Sequence, residues 1–200
     1  MKIGVRGSKL ALAYAEKAKQ AIGQGEIVVI ETAGDLNPDT PINEIGGKGI
    51  FCKAIEQQLL EGNIDVAVHS LKDMPGDDEH PDLQICAVLE RNSPHDVLLG
   101  KIKNNFVLGT SSPRRKAQLE QLYANQSVQI KPIRGNIDTR LKKLDAGEYD
   151  AIVLAEAGLQ ALAIERTYTK VPIVPAVGQG IIALQTRKDD VKTNEVVSKV

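Results

Sequence analysis

The stretch FVLGTSSPRRKAQLEQLY, Phe106–Tyr123, decides the fold. Phe106–Gly109 is apolar and reads as a strand. Thr110, Ser111 and Ser112 follow with hydroxyls suited to the first free amides of a helix, and Pro113 fits that helix's first turn. The helix is predicted to run to about Tyr123. A strand that enters a helix through a hydroxyl-rich turn is half of a βα unit, and the alternation continues outward in both directions. Downstream, Val128–Ile133 and Asp150–Ala155 are predicted strands, each followed by a helix (Asn136–Leu144 and Ala157–Ile164), with a late strand at Ile181–Gln185 and a polar, helical tail from Lys188. Upstream, Lys2–Arg6, Glu26–Glu31, Ile64–Val68 and Leu83–Leu89 are predicted strands. Ser8 caps a helix with Leu10, Ala11, Tyr14 and Ala18 on one face, ending near Gly23 and Gly25; Phe51–Glu61 forms another, with Ile55, Leu59 and Leu60 inward. This pattern predicts an α/β protein with mainly parallel to mixed sheets and flanking helices.

Two segments read as crossings between lobes: the polar Glu90–Asp96 (ERNSPHD) and Val171–Gly180 (VPIVPAVGQG), which carries two prolines and two glycines. The chain is expected to build domain 1 from residues 1–90 and 179–200 and domain 2 from 95–173, with 91–94 and 174–178 as hinge segments. A double crossing of that kind makes a hinged cleft, a preferred place for a ligand. The 200 residues suffice for two such lobes, and 42% hydrophobic with 26% charged residues is ordinary for a globular chain. No apolar run approaches the ~20 residues of a membrane span. MKIGVRGSKLALAYAE has no secretory-signal pattern, and Cys52 and Cys86 form no CxxC pair, so a cytoplasmic protein is expected.

The formal net charge of −1 is unevenly spread. Between Thr110 and Lys143 eight Lys/Arg face only Glu120 and Asp138, so this segment carries +6 and the rest −7. A local basic stretch points to an anionic ligand, although charge count alone fits a solvated helix face equally well. Nucleic acid has little support, since only Tyr123 among the six aromatics falls in the stretch.

Anion-binding turns recur at strand ends. Arg6-Gly7-Ser8 places an arginine and free helix amides at one point. Gly46-Gly47-Lys48-Gly49 lets backbone approach a ligand beside a lysine, but it has neither P-loop nor GxGxxG spacing, and a flexible turn would read the same. The apolar strand before His69 delivers Ser70, Lys72 and Asp73 at its carboxyl end, where open α/β sheets bind ligands, although a solvated turn is the plainer alternative. His69 fits a satisfied core or hinge histidine, no His/Cys/carboxylate spacing resembles a metal site, and Ser70 has no His-acid partner. The strongest element is Thr110-Ser111-Ser112-Pro113-Arg114-Arg115, in which two arginines fork towards one anion. Ile133-Arg134-Gly135-Asn136 with Thr139-Arg140 repeats it at the next strand end.

In this order GGKG, AVHSLKDMP, GTSSPRR, IRGNIDTRLKKLDAGEYDAIVLA and PAVGQG resemble the porphobilinogen deaminase (hydroxymethylbilane synthase) family, from Lys2 to about Arg187. The resemblance implies two lobes like a type II periplasmic binding protein. It also implies a transferase of porphyrin and haem biosynthesis. That activity joins four porphobilinogen molecules into a linear tetrapyrrole on a covalent dipyrromethane cofactor and releases ammonia at each step. By motif, Asp73 matches the catalytic aspartate. Ser70, Lys72, Thr110, Ser111, Ser112, Arg114, Arg115, Arg134 and Gly135 match cofactor-binding positions, and Arg6, Ser8 and Arg140 substrate-binding ones. Each pyrrole carries an acetate and a propionate, which suits the basic segment.

Ala161 stands where the family usually has an arginine, Tyr14 replaces a glutamine, and His95 replaces an arginine. The family's third domain, with the cofactor-attaching cysteine, lies beyond Val200, and neither Cys52 nor Cys86 matches that cysteine. The chain is therefore expected to be an inactive or incomplete fragment lacking the cofactor-attachment cysteine, monomeric, with porphobilinogen and oligopyrrole intermediates as ligands and neither nucleic acid nor membrane as partner. The alternative is a non-catalytic two-lobed binding module for a small polycarboxylate.

Overall fold

A computed structural model describes residues 1–32, 49, 52–76 and 80–200. Its contacts divide the chain into unit 1, Met1–Asn92 with Gly180–Val200, and unit 2, Ser93–Gln179.

Unit 1 begins with β1 (Lys2–Arg6), whose Ile3 and Val5 are buried. Ser8 then has extended backbone and its Oγ accepts from the Ala11 amide at 3.3 Å, capping α1 (Lys9–Ile22). Tyr14, Ala15 and Ala18 form the buried face of α1, and Gly23 at φ 81° closes it with its N–H on Lys19 O, a left-handed position that favours glycine. β2 (Glu26–Ile30), α2 (Lys53–Leu60), β3 (Val66–Ser70) and β4 (Leu83–Val88) follow. β10 (Ile182–Arg187) and α6 (Val191–Val197) come from the returning chain. The sheet order is β2-β1-β3-β10-β4. β1 runs parallel to β2 and β3, while β10 is antiparallel to β3 and β4. Ile55, Leu59, Ile64, Ala67 and Leu83 form the core under α2.

β3 departs from the expected Ile64–Val68. It starts two residues later and runs through His69 and Ser70, because β10 pairs with them as His69↔Ala183 and Ser70↔Ile182. The parallel strands β1 and β3 thus end side by side at Arg6 and Ser70, and a 3₁₀ turn at Leu71–Asp73 follows directly.

Unit 2 contains β5 (Asp96–Gly100), β6 (Asn105–Gly109), α3 (Pro113–Leu122), β7 (Ser127–Lys131), α4 (Ile137–Asp145), β8 (Ala151–Ala155), α5 (Glu156–Ala161) and β9 (Thr169–Lys170). Its sheet order is β7-β6-β8-β5-β9, with β6 parallel to β7 and β8, and β5 antiparallel to β8 and β9. Strand alternation sorts side chains between two cores. Leu98, Leu108, Ala151 and Val153 join Leu119 of α3 and Tyr123 just past its end, with Phe106 edge-on to Tyr123. Val97, Leu99, Ile152 and Leu154 join Leu141 of α4 and Leu159 of α5. Sequence reading missed β5 and β9 and assigned Asp96 to a crossing segment; Asp96 is instead the first residue of β5. α5 stops at Ala161, short of the expected Ile164, and Ala163 has left-handed backbone at φ 49°.

Candidate functional site

The residues singled out in the sequence fall into one group in each unit. In unit 1, Arg6, Ser8, Ser70 and Asp73 line one cavity of about 60 Å³, together with Tyr14, Cys52 and His69. The fold accounts for this: Arg6 and Ser70 end adjacent parallel strands, Ser8 caps α1, and Asp73 closes the 3₁₀ turn. Asp73 is exposed, and among the described residues its carboxylate has neither a hydrogen bond nor an ion pair. Lys72 lies on the same turn but does not line the cavity.

Burial sets the chemistry of the cavity floor. It pushes the Tyr14 phenol up to about 12, helped by the Asp73 charge. It likewise pushes the Cys52 thiol to about 12, with Glu56 and Asp73 adding to the effect. Cys52 donates Sγ–H to Asp73 O at 3.6 Å, so it stays a thiol at neutral pH and is a poor nucleophile. His69 is 5% exposed and its Nε2 lies 3.1 Å from Gln185 Oε1. Burial lowers its pKa to about 4 against the opposing pull of Gln185, so it is neutral at pH 7. Gly46, Gly47, Lys48 and Phe51 lie outside the described residues, and of that glycine-rich turn only Gly49 is described.

In unit 2 the second group occupies the carboxyl ends of β6 and β7. Ser112 caps α3, its Oγ accepting from Arg115 N–H at 3.4 Å, and Thr110 Oγ1 accepts from Ser112 N–H at 3.2 Å. Ser111 joins the two strand-end turns: its hydroxyl donates to Ile133 O at 2.8 Å and accepts from Ile133 N–H at 3.0 Å. Ser111 is thus committed to the turn as donor and acceptor, whereas Thr110 and Ser112 are seen only to accept within it. Gly135 has φ 101°, and a Cβ there would lie 2.7 Å from Thr139 Cβ, so glycine is required both by backbone and by space. Arg140 donates Nε–H to Gly135 O at 2.7 Å and fixes the same loop. Arg134 is half-buried and has no hydrogen bond or ion pair among the described residues.

The sequence reading has Arg114 and Arg115 forking towards one anion. In the structure both reach the carboxylate of Asp96. Arg115 is 7% exposed and also donates to Val153 O, so it faces the interior of unit 2, whereas the Arg114 side chain keeps 26% exposure. The sequence held a signal for Asp96, an acid directly before the apolar VLLG and downstream of Pro94, but its counter-charges lie eighteen and nineteen residues away.

Hydroxyls, helix amides and arginines at strand ends are the donors that hold carboxylates, and the described residues fit a ligand or cofactor bearing them. Among the described residues no group of three or more His, Cys, Asp and Glu is placed to hold a metal ion, and no helix is long and apolar enough to cross a membrane.

A family model described as "Porphobilinogen deaminase, dipyromethane cofactor binding domain" matches residues 1–195. The chain is 47% identical to the porphobilinogen deaminase of Acetivibrio thermocellus, over 94% of this chain and 69% of that protein. It is 42% identical to the porphobilinogen deaminase of Ehrlichia chaffeensis, over 100% of this chain and 71% of that protein. The chain thus spans about two thirds of these relatives. Among solved structures, the second substrate binding domain of an amino acid ABC transporter from Streptococcus pneumoniae superposes with a TM-score of 0.56 at 12% identity, covering 98% of this chain and 89% of that one. A periplasmic binding protein from Brucella ovis with glutathione bound gives 0.53 at 14% identity, covering 99% and 65%. These structural likenesses bear on fold alone: two mixed-sheet α/β units like those of periplasmic binding proteins.

Proposed function

The chain belongs to the porphobilinogen deaminase family, and on that premise we propose that Asp73 is its catalytic carboxylate and that the strand-end turns hold the acetate and propionate groups of pyrroles. The observation that carries this reading is the Asp73 carboxylate itself, exposed beside Arg6, Ser8 and Ser70 and unpartnered among the described residues. As porphobilinogen reacts, its aminomethyl C–N bond breaks and ammonia leaves. The positive charge left on the ring is delocalised, and a fixed carboxylate nearby lowers the energy of that charge as it develops. The methylene carbon then bonds to the α-carbon of a second pyrrole, which loses a proton that Asp73 is placed to accept. Dipyrromethane, when bound, supplies the pyrrole end to which substrate is joined.

In this reading Arg6, Ser8 and Arg140 bind substrate. Ser70, Lys72, Arg114, Arg134 and the shaped turns of Thr110, Ser111, Ser112, Arg115 and Gly135 hold cofactor carboxylates. Residues 91–94 and 174–178 link the two domains. A cytoplasmic monomer without nucleic-acid or membrane partners is the form that goes with it. The free thiols Cys52 and Cys86 support that location, and the burial of Tyr123 within a core removes a base-stacking surface.

The test is ammonia release from porphobilinogen with free dipyrromethane supplied, measured beside calorimetric binding. Asp73→Asn is expected to bind porphobilinogen as the unaltered chain does and to release ammonia about a hundredfold more slowly, with an unchanged melting temperature. Equal release by Asp73→Asn would remove Asp73 from catalysis. Saturable binding with no ammonia from the unaltered chain would describe a non-catalytic module instead.

A further inference from the structure

Asp96 itself has no part in the roles assigned above, although its partners Arg114 and Arg115 do. Asp96 is fully buried at the start of β5, and side chains from two other parts of the chain donate to its carboxylate. Arg115 brings Nε and Nη2 to Oδ1 at 2.9 and 2.6 Å, and Arg114 brings Nη2 to Oδ2 at 2.7 Å. Gln179 Nε2 donates to Oδ1 at 3.1 Å and to Pro94 O at 2.6 Å. The arginines are held at their other ends too, Arg115 by Val153 O at 3.0 Å and Arg114 by Val174 O. Burial alone would raise the Asp96 carboxyl. The Arg115 charge and the hydrogen bonds from both arginines outweigh it and hold the carboxyl below the usual range, so the group is ionised at neutral pH.

We infer that Asp96 is a positioning residue: it holds Arg114, and through Arg115 the first turn of α3, in the geometry that receives a ligand carboxylate at the Thr110–Arg115 turn. The inference rests on the reading of that turn as a carboxylate site and extends it to a residue no ligand touches. Two adjacent guanidinium groups repel, and one of them is buried. A single carboxylate between them lets both stand at the head of one helix. Without its charge they separate, and a displacement of about 1 Å at a binding group can cost up to a hundredfold in function.

The sign of the effect separates positioning from simple electrostatics. Removing a negative charge from a basic site should by Coulomb's law tighten anion binding, whereas loss of positioning should weaken it. The probe is malonate, a small dicarboxylate, titrated against the ¹⁵N-labelled chain while the amide signals of Ser112, Arg114 and Arg115 are followed. Saturable shifts are expected in the unaltered chain, and a dissociation constant about tenfold higher in Asp96→Asn, following the same displacement argument. Asp190→Asn, which alters the cap of α6 in unit 1, should lower the melting temperature without moving that constant. If Asp96→Asn does not fold, Arg115→Lys keeps the charge but loses the fork and should weaken malonate binding in the same direction. Unchanged or tighter binding in a folded variant overturns the inference, as does an unaltered chain whose turn does not respond to malonate. A chain that binds malonate at this turn but never binds porphobilinogen would overturn the functional reading and leave the role of Asp96 standing.

Discussion

His69 shows how one residue's surroundings become a property of the whole fold. Its pKa of about 4 lies below the unperturbed 6.5, because burial disfavours the charged ring. Between those values the unfolded chain binds a proton that the folded chain refuses, so stability rises with pH across that window and falls as the solution is acidified through it. The full shift corresponds to about 3 kcal/mol. Melting temperatures recorded from pH 7 to 4 should decline, and His69→Gln should flatten part of that decline. An identical decline in the variant would mean that other groups account for it. The sequence reading of His69 as a satisfied core or hinge histidine agrees with its bond to Gln185. That Gln185 is the partner, from a strand 116 residues on, could not be read from local pattern.

At the level of elements, helix starts were most legible where a capping hydroxyl or a proline marks them. Ser8 and Ser112 both cap as their hydroxyls suggest, and Pro113 opens α3. β5 left no such mark. DVLLG is buried on both faces between β8 and β9, so it shows no alternation, and its partners lie more than fifty residues downstream. The extension of β3 through Ser70 likewise depends on β10. The second strand-end turn makes its own prediction. Gly135→Ala forces an L side chain into a left-handed position and against Thr139, which should cost about 1–3 kcal/mol. Chemical denaturation would show it, and a variant as stable as the parent would contradict the need for glycine there.

Across the whole molecule the charge asymmetry was readable from sequence, and the structure shows how it is distributed. Of the eight basic residues between Thr110 and Lys143, Arg115 is a buried counter-ion, Arg114 is shared with Asp96, and Arg134 is unpaired among the described residues. A count of charges cannot tell these apart, because which cation is committed internally depends on a carboxylate brought in by tertiary pairing. Breaking a buried pair by removing one partner typically costs about 3–5 kcal/mol, so Arg115 belongs to stability as much as to binding. Among the arginines of that stretch, Arg134 is the one with no hydrogen bond or ion pair among the described residues. The most direct test of the carboxylate-cradle account is therefore a calorimetric titration of a free dipyrromethane bearing acetate and propionate groups into the chain and into Arg134→Leu. The account predicts saturable binding by the chain and an affinity at least about tenfold lower in the variant, the scale of one charge-assisted contact, with melting unchanged. Equal affinity in the two, or no binding to the unaltered chain, would contradict it.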